Sequence, residues 1–227
     1  MFTFLTPTFI IGILIALSVH ECAHAYVASK LGDDTARLSG RLTLNPLAHL
    51  DLLGTILFLI VGFGWGKPVP VDPAAFRHPK RDSALTSLAG PASNLLLAAI
   101  CFILLIAIAP SSMGGGAWDL LAPPVQTSVL HTFLVQLLSS SLFINLGLMA
   151  FNLLPVAPLD GSKILEAFIP LRLDESYATF LRWGPSILLG LLVAERVLGI
   201  GLLSSWISGI MDGVLAVFAM VAGVVIH

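Results

Sequence analysis

The chain is a succession of long apolar runs separated by short polar connections. Four runs, Thr8–Leu31, Ala84–Ala109, Val125–Leu154 and Phe180–Leu198, are long enough to cross about 30 Å of hydrocarbon as helices, which takes about 20 residues each. A fifth, Gly201–Ile226, carries a single charge, Asp212, and is read as a crossing too. Leu52–Trp65 is apolar over about 14 residues, the length of a re-entrant or buried segment rather than a full span. On either side of it the pattern turns to alternation: Arg37–Asn45 reads RLSGRLTLN and Gly66–Asp72 reads GKPVPVD. Both predict strands, and Pro68 and Pro70 confine the second to a sheet edge, where the missing N–H groups cost nothing. Exposed backbone at membrane depth is tolerated only where it is buried in protein or lines a wet cavity, so these strands are expected beside a site. The predicted fold is an all-α polytopic membrane protein of about five transmembrane helices, with a re-entrant segment and a small membrane-embedded β-sheet. Residues 1–178 are expected to form its core and residues 179–227 a C-terminal transmembrane helical hairpin.

Composition narrows the class. At 57% hydrophobic and 11% charged residues, with a mean hydropathy of +0.97, the 227 residues cannot dress a water-facing surface. Soluble domains carry about 25% charged residues. A net charge of −2 without a basic cluster gives no electrostatic footprint for nucleic acid. Cys22 and Cys101 both lie in apolar runs and read as buried thiols. No Lys or Arg precedes Lys30, so the first run lacks the positive flank of a secretory signal and is expected to stay in the mature protein.

Charge placement gives an orientation. If Leu52–Trp65 dips in and returns, Lys30, Arg37, Arg41, Lys67, Arg77, Lys80, Arg81, Lys163, Arg172 and Arg182 share one side and Arg196 stands alone on the other. The positive-inside rule makes the crowded side cytoplasmic. The Pro110–Pro124 connection has no Lys or Arg and is expected outside.

Ionisable groups within a membrane helix cost about 2.5–3.5 kcal/mol each on insertion scales, so they are read as functional. The first run contains His20-Glu21-Cys22-Ala23-His24, an H-E-x-x-H sequence that sets two imidazoles at i and i+4 on one helix face, able to share a Zn²⁺. Glu21 lies about 100° round the helix from His20, placed to reach a water beside the metal without binding the metal itself. Cys22 points away from both histidines.

A catalytic zinc takes a third protein ligand and keeps a position open. Val27 and Lys30 occupy the places of an H-x-x-G-x-x-H extension, and no Glu follows Glu21 until Glu166. The candidates are Asp51, in NPLAHLD, and Asp160, in NLLPVAPLDG. Asp160 has the better physical case, because Pro155 and Pro158 break the preceding helix on the basic side of the membrane, where His20 and His24 also lie. Asp51 is held in reserve. Asn152 could present its amide to a peptide carbonyl, or make an interhelical hydrogen bond instead.

The remaining polar groups have plainer readings. His49 and Asp51 fit a loop-fixing hydrogen bond, and Gly90-Pro91-Ala92-Ser93-Asn94 fits close helix packing. His131 and Asn145 read as interhelical hydrogen-bonding groups, Asp212 as facing a partner or cavity, and Glu195 with Arg196 as a solvated pair.

Taken in order, HECAH, NPLAHLD, GKPVPV, GPASN and NLLPVAPLDG resemble the site-2 protease family of intramembrane zinc metalloproteases (peptidase family M50), and most its compact prokaryotic branch without PDZ or CBS domains. The resemblance covers roughly residues 10–165. It implies His20, His24 and Asp160 as ligands of one zinc per chain, Glu21 as general base and Asn152 as a helper of the substrate carbonyl. It also implies a multi-pass protein of the cell membrane, with its active site toward the cytoplasmic side and transmembrane proteins as substrates. Two other classes compete. A metal-ion transporter would want sites on facing repeats, and the chain shows no internal repeat. A catalytically idle adaptor would have lost a ligand or the base, and all four residues are present.

Overall fold

The computed structural model describes residues 6–61, 64–109 and 128–223. Its helices are α1 (Pro7–Leu31), α2 (Thr35–Leu38), α3 (Leu52–Val61), α4 (Pro79–Ile108), α5 (Val129–Asn152), α6 (Asp160–Glu166), α7 (Asp174–Val193) and α8 (Leu202–Ala222). Five are long and apolar enough to cross a bilayer: α1, α4, α5, α8, and α7 extended by a π-helical turn to Leu198. Large apolar side chains such as Ile15, Leu96, Ile103, Leu189 and Val217 point outward, as they do on a protein whose solvent is lipid. The chain is thus a mostly helical, multi-pass membrane protein. The Pro110–Pro124 connection lies outside the described residues.

Each long helix is bounded by local chemistry. Thr6 caps α1, its hydroxyl accepting from the Phe9 amide, with Pro7 in the first turn where no N–H is needed. Gly32 ends the helix at φ +111°, a conformation that costs a residue with a β-carbon dearly. Ser128 caps α5 through the His131 amide. One row of α1, Gly12-Ala16-His20-His24-Ala28, is buried throughout, so small residues flank the two histidines and let α4 and α5 close on them.

α1, α4 and α5 pack against one another, and α6 lies on α4. The main apolar cluster joins α4 (Ala98, Phe102, Leu105), α5 (Leu142, Leu146, Met149) and α8 (Met211, Leu215). A second, smaller cluster gathers Leu154, Val156 and Leu159, in the connection after α5, with Leu188 of α7 and Leu203 of α8.

The expected sheet is not formed: the described residues contain no strand, and their one strand-like pairing is an isolated bridge between Leu50 and Gly66. Arg37–Asn45 opens in α2 and continues as turns and irregular backbone, while Gly66–Asp72 is irregular and, among the described residues, has no strand beside it. Side chains take the place of the missing neighbour. The buried guanidinium of Arg41 donates to the carbonyls of Ala48, Lys67 and Pro68. His49 Nε2 donates to the Thr43 carbonyl at 2.8 Å, and Asp33 Oδ2 accepts from the Asp72 amide at 2.8 Å. With Pro68 and Pro70 lacking donors, a ladder had little to offer that these groups do not already supply. α3 spans ten residues, about 15 Å of helix and half the hydrocarbon thickness. The chain then doubles back against it: a β-carbon on Gly54 would fall 2.1 Å from the Trp65 carbonyl oxygen.

Candidate metal centre

Three electron-rich atoms from two distant parts of the chain converge between α1, α4 and α6. His20 Nε2 and His24 Nε2 are 3.0 Å apart, and each lies 3.3 Å from Asp160 Oδ2. The i, i+4 spacing brings the two rings together edge to face, with centroids 4.6 Å apart. Asp160 arrives from the far side as the first residue of α6, at the end of a turn that starts where α5 stops at Leu153. Gly161 lets that turn close, since a β-carbon there would lie 2.4 Å from the Leu153 carbonyl oxygen.

The other nitrogen of each imidazole is committed. His20 Nδ1 donates to Asn94 Oδ1 at 2.6 Å, and His24 Nδ1 donates to the Thr86 carbonyl at 2.7 Å. Asn94 is held in turn: its amide donates to Asn145 Oδ1 at 2.8 Å, and the Asn145 amide donates to the Ser141 carbonyl at 2.8 Å. With both Nδ1 atoms acting as donors, the neutral rings carry their lone pairs on Nε2. Two nitrogen lone pairs and a carboxylate oxygen then face one point, and Asp160 Oδ2 has no hydrogen-bond donor among the described residues. Such a group is repulsive until a cation joins it. Tetrahedral zinc with ligands at about 2.0–2.1 Å sets them about 3.3 Å apart, close to the separations seen here. Among the described residues, His20, His24 and Asp160 are the group able to hold a metal ion.

Gly90 completes the enclosure. A β-carbon at this position of α4 would fall 2.5 Å from both His20 Cε1 and His24 Nε2, so only a glycine lets α4 lie over the rings. Glu21 sits on α1 beside the first histidine, half-buried and without a hydrogen bond or ion pair to another described residue. Asn152, the last residue of α5, is half-buried and donates to the Leu148 carbonyl at 3.0 Å, and it makes no hydrogen bond to His20, His24, Glu21 or Asp160. Asp51 stands elsewhere, capping α3 through the Gly54 amide at 2.8 Å. His131 Nε2 donates to the Ile108 carbonyl at 2.9 Å, joining α5 to α4. Gly90 reads from the sequence as a packing residue and Asn94 as one able to bond to a neighbouring helix, which it does, with His20 as a partner that the sequence does not foretell. The signal that could have revealed more was the GPASN run, but its partner at His20 lies 74 positions away.

The sequence profile of peptidase family M50 matches residues 8–191, most of the chain and all of the groups just described. The chain belongs to peptidase family M50. As a member it is a zinc metalloprotease, a hydrolase whose cofactor suits the two imidazoles and the carboxylate assembled here. It is 46% identical over 166 residues to YwhC of Bacillus subtilis, provisionally named a zinc metalloprotease, covering 73% of this chain and 71% of that one. It is 30% identical over 192 residues to a similarly named protein of Mycolicibacterium smegmatis, covering 83% of this chain and 67% of that one. A third similarly named relative, from Methanocaldococcus jannaschii, is 30% identical over 147 residues, 65% of this chain and 63% of its own. No solved structure matches the chain.

Proposed function

We propose that the protein is an intramembrane zinc endopeptidase that hydrolyses peptide bonds within or near the transmembrane segments of membrane proteins. His20, His24 and Asp160 hold the metal in this reading, Glu21 is the general base and Asn152 steadies the scissile carbonyl. The observation that carries it is the depth of the cluster. His20 lies about 16 Å of helix inside the C-terminal end of α1, a place a peptide bond reaches only if the substrate is itself in the membrane.

When bound, zinc supplies Lewis acidity, polarising a carbonyl and making water acidic near neutral pH. The protein's own groups do the rest. Glu21, without a hydrogen bond to another described residue, takes the proton of the attacking water and passes it to the leaving amine. The Asn152 amide has one N–H engaged at Leu148 and a second left to donate to the carbonyl oxygen. Asn94 and the Thr86 carbonyl keep the imidazole lone pairs aimed at the metal. A helical substrate has its peptide bonds covered by its own hydrogen bonds, so it must unwind locally before attack.

The ten basic residues that share one side support a cytoplasmic location for the site, and the short α3 supports a re-entrant segment. Residues 1–178 would form the catalytic core and residues 179–227 a helical hairpin beside it. The test is to purify the wild-type protein and Glu21→Gln in detergent, measure zinc per chain, and assay both on a panel of single-span substrates. One zinc in each with cleavage only by the wild type is the expected result, and equal cleavage by both would sink the mechanism.

A further inference from the structure

α7 has three buried residues, Tyr177, Gly184 and Leu188, and each meets the chain on one side or the other of Asp160. The Tyr177 hydroxyl donates to the carbonyl of Ser162, just past Asp160. Two turns of helix later Gly184 crosses Ala157, just before it: a β-carbon on Gly184 would fall 2.5 Å from that of Ala157 and 2.6 Å from its carbonyl oxygen. Leu188, one further turn on, packs with Leu154, Val156 and Leu159 of the same connection. The turn is therefore gripped from two sides. Its carboxylate reaches inward to the histidines, and its apolar side chains face outward to α7 and α8.

We propose that α7 is a positioning element for Asp160, so that metal retention and docking of the C-terminal hairpin are coupled. Tyr177 and Gly184 are the positioning residues. The buried face of α7 bears on the chain just before and just after Asp160, so displacing the helix loosens both sides of that residue, and fixing Asp160 on a metal steadies the helix. Coupling of this kind is reciprocal. The inference rests on the ligand role proposed above for Asp160.

The experiment uses the full-length protein in detergent, with zinc alone as the probe. Zinc retention against a competing chelator is compared for the wild type, Tyr177→Phe, Gly184→Ala and Gly190→Ala. Gly190 is on the same helix, with nothing near its β-carbon position, so its substitution reproduces the gain in helix propensity without the wedge. Tyr177→Phe and Gly184→Ala should bind zinc about 10-fold more weakly, the lower end of what loss of an outer-shell partner costs, and Gly190→Ala should match the wild type. Absorption of the cobalt-substituted proteins should shift in the same two variants. Amide exchange across residues 174–193 should be faster in metal-free wild type and in Asp160→Ala than in the zinc-loaded wild type. Tyr177→Phe keeps the ring and decides the matter alone if Gly184→Ala fails to fold. Wild-type zinc retention in both variants, or exchange in α7 indifferent to zinc, overturns the coupling while leaving the proposed function standing. A wild-type protein that binds no zinc overturns both.

Discussion

His20 and Asn94, 74 positions apart in the chain, meet at 2.6 Å in the buried space between α1 and α4. The contact decides which nitrogen of the ring is left for a metal, and Asn145 holds Asn94 to that task from α5. Three helices thus fix the tautomer of one side chain.

Asn94→Ala should therefore weaken zinc binding by roughly 10- to 100-fold, the usual cost of losing a ligand's outer partner. A chelator titration of the purified protein reads this directly. Unchanged affinity would show that His20 is oriented by something other than this hydrogen bond.

Gly90→Ala should be the most damaging small substitution in α4. Its β-carbon would meet both imidazoles at 2.5 Å, so α4 must move away or the rings must turn. Overpacking of this kind costs about 1–3 kcal/mol and should also lower zinc content. Gly147→Ala in α5 is the control, having nothing near its β-carbon position, and should leave zinc content unchanged and, through the higher helix propensity of alanine, not lower the melting temperature.

Removing the metal should lower the melting temperature. A ligand that binds only the folded state at about 100 times its Kd adds about 2.7 kcal/mol of stability. Without it, the two lone pairs and the carboxylate are left facing one another. Melting after chelation, and again after zinc is restored, should show a reversible loss, and His20→Ala should show none of the difference.

Asp33 should make part of the stability depend on acid. Its carboxylate is fully buried after α1. Burial pushes its pKa up, but hydrogen bonds from Thr35 and from the Asp72 amide outweigh this and hold it below the usual carboxylate value. A lowered folded-state pKa gives stability that is present in full above the ordinary carboxylate value and is lost as pH falls through the folded one. Asp33→Asn should therefore be less stable than the wild type at pH 7, with the gap closing toward pH 3. A gap independent of pH would count against this role for the ionised carboxylate.

The spans were readable because uninterrupted hydropathy is a one-dimensional signal, and the five long helices follow the five apolar runs closely. His20 and His24 were readable for a similar reason, since the i, i+4 spacing places them together without any knowledge of the fold. Asp160 needed more: its prolines marked a broken helix, but only the tertiary structure brings it within 3.3 Å of both rings, while Asp51 goes to cap α3. The strands misled because alternation between apolar and polar residues also describes irregular backbone whose polar groups are met by side chains. Nothing in RLSGRLTLN announces that Arg41 will span the carbonyls of Ala48, Lys67 and Pro68. Nor could the sequence reveal that Tyr177 closes on the Asp160 turn, because that contact depends on where α7 lies and on no local motif.

Arg41 also limits how the segment before α4 can sit. A buried guanidinium must keep its hydrogen-bond acceptors, because a buried charge left without partners costs several kcal/mol. α3, with Leu52, Leu53 and Ile60 turned outward, is tied to this charge by the carbonyls of Lys67 and Pro68. Pulling that stretch away would strip a buried charge of two of its acceptors, so Arg41 works as a rivet between the turns after α2 and the backbone that follows α3.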